Sequence, residues 1–338
     1  KMATLYILSF STLLVAVCSK MCGRTSVECL DRVRNGLLAL AQNNCTNDDG
    51  ILTQYWWHST TSAVQINSVT EIDTVKPIIF LLHGWGGSKD VDYIQVIRDA
   101  YLKRYQSSRT IITLDFGMYV TGSGILSYAN AYCNAPAVAI GFGNFICSLV
   151  ANGVSPKNIH VVGHSLGAQI SGMAGAYVQK NCKFSVARIT GLDPASIGYL
   201  CINPNECRLD ETDADFVDVI HTNAGGYGTT LNSGDDDFYV NNGIAQPNCL
   251  DLNIDFTQVS SDPLSVVLKP VSCSHQRSCY LFAESILANS FPTRSCFPLA
   301  SNVLYMGEYC KPELGTRMCR VSTSAQSPYG LGPNGPLN

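Results

Sequence analysis

Residues 158–175 read NIHVVGHSLGAQISGMAG. An apolar, β-branched run from Ile159 to Val162 enters Gly163-His164-Ser165-Leu166-Gly167, and the small residues Ala168, Gly172, Ala174 and Gly175 follow. The pattern predicts a strand, a sharp turn and a helix packed close to that strand. Glycines suit both sides of Ser165 because such a turn is strained and the helix must approach the strand, which leaves the serine exposed at the helix N-terminus. Gly-x-Ser-x-Gly alone recurs in glycine-rich proteins and would equally mark an ordinary turn. The strand before it and the small-residue helix after it favour a nucleophile.

The same alternation extends outward. PIIFLL (77–82) and RTIITLDF (109–116) are apolar runs of strand length before the serine, and SVARITGLD (185–193) and DFVDVIHT (215–222) follow it. QYWWHSTTS (54–62) alternates weakly and suggests an early strand. YIQVIRDAYLKRY (93–105) and APAVAIGFGNFICSLVANG (135–153) space apolar residues three and four apart, and CYLFAESILAN (279–289) reads as a late helix. This order predicts an α/β fold with a mostly parallel central sheet and helices on both faces. The expected organisation is a leader over 1–19 and a single domain over 20–338, with an irregular Pro- and Gly-rich tail from Ser327.

A serine hydroxyl is a poor nucleophile unless a histidine takes its proton and a carboxylate fixes that histidine's tautomer. Of the six histidines, His58 and His83 precede the serine, against the Ser…Asp…His order of this fold class, and His160 and His164 sit on the strand and elbow themselves. His221 ends FVDVIHT, where a satisfied, partly buried histidine is the ordinary reading. His275 lies in SCSHQRSC, a polar segment held between Cys273 and Cys279 just before a helix, and loop placement favours it. For the carboxylate, ITGLDPAS puts Asp193 at a strand end, where open α/β sheets carry chemistry, although Asp-Pro also simply starts turns. Asp218 is its rival, inside a strand and equally readable as a buried structural carboxylate. Acyl transfer also needs two donors for an oxyanion. Leu166 N–H supplies one and Trp85 N–H, in FLLHGWGG (80–87), the other, unless that stretch is an ordinary glycine-rich loop.

Composition excludes several classes. The 338 residues are 46% hydrophobic and 14% charged with a net charge of −4, which fits neither a disordered chain nor a nucleic-acid partner. Met2 to Ser19 carries an apolar run from Leu5 to Val17 and then small residues, as a secretory signal does. That run falls short of the roughly 20 residues that cross a bilayer, so no transmembrane segment is expected. Fifteen cysteines, fourteen once Cys18 is cleaved off, allow up to seven disulfides and point to a secreted, extracellular protein. Their spacing is unlike that of zinc sites. Asn44-Cys45-Thr46 is a glycosylation sequon.

HGWGG, GHSLGAQISGMAG, ARITGLDPA, DADFVDVIHT, DFYVNNGIAQPNC and CSHQRSCYLFAESI together resemble the pancreatic lipase family, over roughly residues 50–310. The resemblance implies an α/β-hydrolase fold, disulfide-rich, and a secreted carboxylic-ester hydrolase acting at a lipid interface. It puts Ser165, Asp193 and His275 on the family's triad positions, Trp85 and Leu166 on its oxyanion positions, and Cys249 and Cys273 on the cysteines that bracket its lid. No metal or organic cofactor is required by the implied chemistry. Members can hold a structural calcium, and Asp210 and Asp213 match two of its carboxylates, with Glu206 displaced by a residue; acidic loop residues are ordinarily just solvated.

Departures from the pattern narrow the expectation. The chain stops soon after Cys319, without the C-terminal β-sandwich of vertebrate members, and looks like the secreted arthropod branch that includes venom phospholipases A1. Between His221 and Asp237 lie only fifteen residues, TNAGGYGTTLNSGDD, similar to phospholipase A1 members. The 23 residues between Cys249 and Cys273 point the other way, being long for a venom phospholipase lid. Their Leu250, Leu252, Ile254 and Phe256, then Val266, Val267 and Leu268, suit lipid contact or completion of the core. The expectation is a phospholipase A1 that cleaves the sn-1 ester of glycerophospholipids. A triacylglycerol or galactolipid lipase is the alternative, and a non-catalytic, yolk-like lipid binder is a third reading that the presence of Ser165 opposes.

Overall fold

The computed structural model describes residues 53–122, 125–199, 208–249, 263–299, 302–312 and 316–332, with only the backbone at 125–126 and 263–271. The leader, the sequon, Glu206 and Leu250 to Phe256 lie outside the described residues, as do the side chains of Val266, Val267 and Leu268.

The strands are β1 (Gln54–His58), β2 (Ala63–Ile66), β3 (Ile78–Leu82), β4 (Thr110–Asp115), β5 (Ile159–His164), β6 (Arg188–Leu192), β7 (Val217–His221) and β8 (Asp236–Val240), followed by the shorter β9 (Pro292–Thr293), β10 (Cys296–Phe297) and β11 (Leu304–Tyr305), and β12 (Arg317–Val321). The helices are α1 (Asp92–Tyr105), α2 (Gly117–Val120), α3 (Ile125–Ala151), α4 (Leu166–Cys182) and α5 (Pro263–Leu287). Ten strands form one sheet in the order β10-β12-β8-β7-β6-β5-β3-β4-β1-β2. From β4 to β12 every neighbour is parallel, and antiparallel pairs occur only at the flanks, β10 on β12 and β1 between β4 and β2.

The two faces follow from strand periodicity. β3 is buried at all five positions. Its Ile78, Phe80 and Leu82 join the core under α3 and α4, whereas Ile79 and Leu81 join the core under α1 and α5. Burial on both sides explains why this strand reads as a continuous apolar run. The α/β-hydrolase arrangement expected from the sequence is therefore the observed one. α3 includes a stretch, Ser127–Ala151, long and apolar enough to cross a membrane, but more than half of it is buried in the domain, where Phe142 meets Phe80 edge-on at 5.1 Å.

Three expectations change. β2, β8 and β12 are strands that the sequence pattern does not mark. The late helix starts at Pro263 rather than Cys279, so His275 is a helix residue and not part of a loop. The count of seven disulfides is not reached, because Cys279 and Cys310 are free thiols. Both are buried in the core between the sheet, α1 and α5, where a cysteine acts as a small apolar side chain. The described bridges are Cys147–Cys182, Cys249–Cys273 and Cys296–Cys319.

Candidate active site

β5 ends at His164 and α4 begins at Leu166, so one residue makes the whole turn. Ser165 accordingly takes φ 56° and ψ −119°, a conformation that strains any side chain. The turn is held from below: Ser165 N–H donates to Leu192 O at 3.0 Å, and its carbonyl accepts from Ala195 N–H at 3.1 Å. The flanking glycines are required by close approach. A Cβ on Gly163 would lie 2.5 Å from Gly167 O, and one on Gly167 would lie 2.4 Å from His83 O. The serine is less open than expected, 8% exposed.

One strand over, Asp193 follows the end of β6, also at positive φ (45°) and fully buried. Its Oδ1 accepts from Thr222 N–H at 2.8 Å and Asn223 N–H at 2.9 Å, and its Oδ2 pairs with His275 Nδ1 at 2.5 Å. An imidazole whose Nδ1–H points at a carboxylate keeps Nε2 free to accept a proton. The backbone of His275 is fixed too, its carbonyl accepting from Ser278 Oγ at 3.0 Å and from His164 Nε2 at 3.3 Å. Burial, and then the charge of His275 beside it, hold His164 well below the usual imidazole range, so it stays neutral. The ring centroids of His164 and His275 are 4.5 Å apart, which brings His275 to the elbow. Among the described residues no hydrogen bond joins Ser165 Oγ to His275; in unliganded enzymes such bonds are often long and tighten with substrate.

The loop after β3 abuts the elbow. A Cβ on Gly84 would lie 2.9 Å from Ser165 Cβ and 3.3 Å from Ser165 Oγ. Trp85 follows directly in this loop, and Leu166 follows Ser165 as the first residue of α4. The Trp85 ring is tied back through Nε1 to Ser127 Oγ at 3.0 Å and packs edge-on to Tyr128. His83, set aside by chain order, braces this loop: Nδ1 donates to Gly84 O at 2.9 Å, Nε2 accepts from Phe116 N–H at 3.2 Å, and the ring stacks on Phe116. The neighbouring Asp115 carboxylate accepts from Gly117 N–H at 2.9 Å and Lys89 N–H at 3.2 Å, which ties the same loop to the end of β4.

The rivals are accounted for elsewhere. Asp218 makes a bidentate pair with Arg188 at 2.8 and 2.9 Å and accepts from Thr190 Oγ1 at 2.7 Å. His221 is fully rather than partly buried, stacks on Tyr239 and pairs with Asp237 Oδ1 at 2.7 Å. The expected lid cysteines, Cys249 and Cys273, are bridged two residues before His275. Asp210 and Asp213 are both buried side by side. Burial and then the charge of Asp210 push Asp213 well above the usual carboxylate range, and among the described residues Asp210 Oδ2 has no hydrogen-bond partner. Such an oxygen-only, under-neutralised pair fits a hard cation, although Glu206 lies outside the described residues.

Pancreatic triacylglycerol lipase from Myocastor coypus is 32% identical over 251 residues, covering 68% of this chain and 52% of that protein. Phospholipase A1 from Vespa crabro is 32% identical over 232 residues, covering 65% and 69%. Inactive pancreatic lipase-related protein 1 from Canis lupus familiaris is 35% identical over 195 residues, covering 51% and 40%. The Vespa crabro protein apart, the chain spans about half or less of the length of these curated relatives. The Lipase family model matches residues 46–323, from before β1 to beyond β12. With the elbow on β5 and a buried Asp–His pair beside it, this chain belongs to the lipase family.

Proposed function

We propose that this chain is a secreted phospholipase A1 that hydrolyses the sn-1 acyl ester of glycerophospholipids through an acyl-enzyme on Ser165. The observation that carries the reading is the 2.5 Å Asp193–His275 pair set against a strained serine elbow. Ser165 Oγ attacks the ester carbonyl while His275 Nε2 takes its proton. His275 returns that proton to the departing lysolipid oxygen, then draws one from the water that cleaves the acyl-enzyme and passes it to Ser165 Oγ as the fatty acid leaves. Asp193 keeps the ring oriented and stabilises its charged form. Trp85 and Leu166 N–H donate to the oxyanion. Asp210 and Asp213 would hold a calcium ion, which would supply only charge neutralisation in the loop before β7.

Support for a phospholipid comes from the fifteen-residue loop 222–236, which folds back on the Asp193 turn. Thr229 N–H donates to Pro194 O at 2.8 Å, Ser196 N–H donates to Tyr227 O at 2.8 Å, and the Tyr227 ring lies 5.4 Å from that of His275. A wall this tightly tucked leaves room for a headgroup. A triacylglycerol lipase is the second reading, favoured by the 23 residues between Cys249 and Cys273. The test is hydrolysis of phosphatidylcholine with distinguishable acyl chains beside an emulsified triacylglycerol. Release of the first-position chain with little triacylglycerol turnover supports phospholipase A1, and dominant triacylglycerol turnover refutes it.

A further inference from the structure

The loop 222–236 is gripped at both ends by one buried carboxylate. At its start, His221 Nε2 pairs with Asp237 Oδ1 at 2.7 Å. Near its end, Ser233 N–H donates to both Asp237 oxygens, at 3.1 and 3.2 Å, and Gly234 N–H donates to Oδ2 at 3.1 Å. Asp237 is 1% exposed and His221 is fully buried, so water can replace none of these bonds. Among the described residues the other ring nitrogen, His221 Nδ1, has no hydrogen-bond partner, which leaves the Asp237 bond as the ring's one hydrogen bond there. The two residues that follow His221 are Thr222 and Asn223, whose N–H groups are the backbone donors to Asp193. Thr222 Oγ1 also reaches His275 O at 3.5 Å.

We propose that the His221–Asp237 pair positions the triad: it fixes the start of this loop, the loop's first two N–H groups fix Asp193, and Asp193 fixes the His275 ring. The inference rests on the reading of Ser165, Asp193 and His275 as the triad. A displacement of His221 passes to the Asp193 donors through backbone alone, with no intervening side-chain rotor to absorb it. Neither residue of the pair touches substrate, so the effect falls on turnover and not on binding. A misplacement of about 1 Å at a reacting group costs up to about 100-fold in rate.

The test compares His221→Leu, His221→Asn and His221→Gln in the full chain, with thermal unfolding to measure the folded fraction and kcat and KM read on p-nitrophenyl butyrate. Glutamine carries an N–H donor about where the ring Nε2 stands, whereas the asparagine amide stops short of Asp237. For His221→Leu and His221→Asn the expected result is a kcat lower by about 10- to 100-fold with KM within about twofold. For His221→Gln the expected kcat is within about threefold of the parent. Should the leucine variant fail to fold, the Asn–Gln comparison decides, since both are polar and only one reaches Asp237. Equal kcat in those two, or parental kcat in folded His221→Leu, overturns the proposal. Ser165→Ala is the control: an active Ser165→Ala overturns the triad reading and this proposal with it, whereas an inactive Ser165→Ala beside a fully active His221→Leu overturns the positioning role alone.

Discussion

Gly228 faces the carboxylate of Asp193, and a methyl group there would lie 2.5 Å from both oxygens and 2.6 Å from Cγ. Non-bonded carbon and oxygen settle at roughly 3.2 Å or more, so Gly228→Ala forces a separation of about 0.7 Å. The loop cannot easily yield it, because Gly228 N–H donates to Asn223 O at 3.1 Å, Gly228 O accepts from Gly225 N–H at 2.9 Å, and Gly228 bridges to Ala195. Nor does the backbone resist alanine on its own account, since Gly228 is not among the residues with positive φ. The strain therefore falls on Asp193, whose bonds at 2.5, 2.8 and 2.9 Å cannot all survive such a shift. The expected cost is about 10- to 100-fold in kcat, or about 1.4–2.8 kcal/mol of barrier, with about 1–3 kcal/mol of stability lost to overpacking. Kinetics on a soluble short-chain ester, normalised to folded protein by circular dichroism, measures the first quantity, and thermal unfolding measures the second. A folded Gly228→Ala protein with kcat within twofold of the parent would refute the claim that Asp193 has no room to move.

Three further outcomes are expected. Ser165→Gly should abolish ester hydrolysis while unfolding no earlier than the parent, because glycine relieves about 1–3 kcal/mol of backbone strain at the elbow; a clearly lower Tm would contradict the strain. Asp218→Ala should destabilise the fold by about 3 kcal/mol by removing the only carboxylate that the described residues pair with largely buried Arg188, yet leave kcat of the remaining folded protein near parental, which a triad carboxylate would not. Burial pushes Asp236 up to about 6, so the folded chain binds this proton more tightly than the unfolded chain, and stability falls as pH rises from about 4 through about 6. Asp236→Asn should therefore raise stability at pH 7, by about 3 kcal/mol, and change it little at pH 4, as denaturant unfolding at the two values would reveal.

Apart from β1, which shows through its weak alternation, the strands that are legible in the sequence are those buried on both faces or ending in a glycine-bearing turn. IIFLL, TIITLD and the run into Gly163 need no partner to be recognised, because burial forces a continuous apolar stretch. β8 and β12 are illegible for the opposite reason. DDFYV begins with two aspartates that are buried only because Arg317, His221 and loop N–H groups meet them, and RMCRV alternates buried and exposed residues at the end of the parallel run. Ser165 and Asp193 are legible from the elbow motif and the strand end, whereas loop placement, which favours His275 in the sequence, does not hold. SCSHQRSC is polar because it forms the middle of a helix whose residues meet Asp193 and Cys249, not because it is a loop. Gly228, Asp237 and the bracing role of His83 leave little local mark, since each acts through a contact with a residue distant in sequence.

The two ends of the parallel strands carry different duties. Beyond the carboxyl ends of β3, β5, β6 and β7 lie Gly84, Ser165, Asp193 and Thr222, and two of these hold positive φ that no isolated turn would tolerate. Lower on β6 and β7 stand Arg188, Thr190 and Asp218, the last accepting from both others, with Thr190 and Asp218 fully buried. Strain of about 1–3 kcal/mol per residue at the serine and aspartate turns is sustainable only if the sheet beneath cannot relax. The Arg188–Asp218 pair fixes β6 against β7 two residues or more below the carboxyl ends, and Ser165 N–H to Leu192 O and Asp193 N–H to Ile220 O extend the strand pairing through the turns themselves. The elbow is thus the continuation of the sheet by two further rungs. This is why the serine and the aspartate, 28 residues apart in the chain, are both held in conformations that the local sequence alone disfavours.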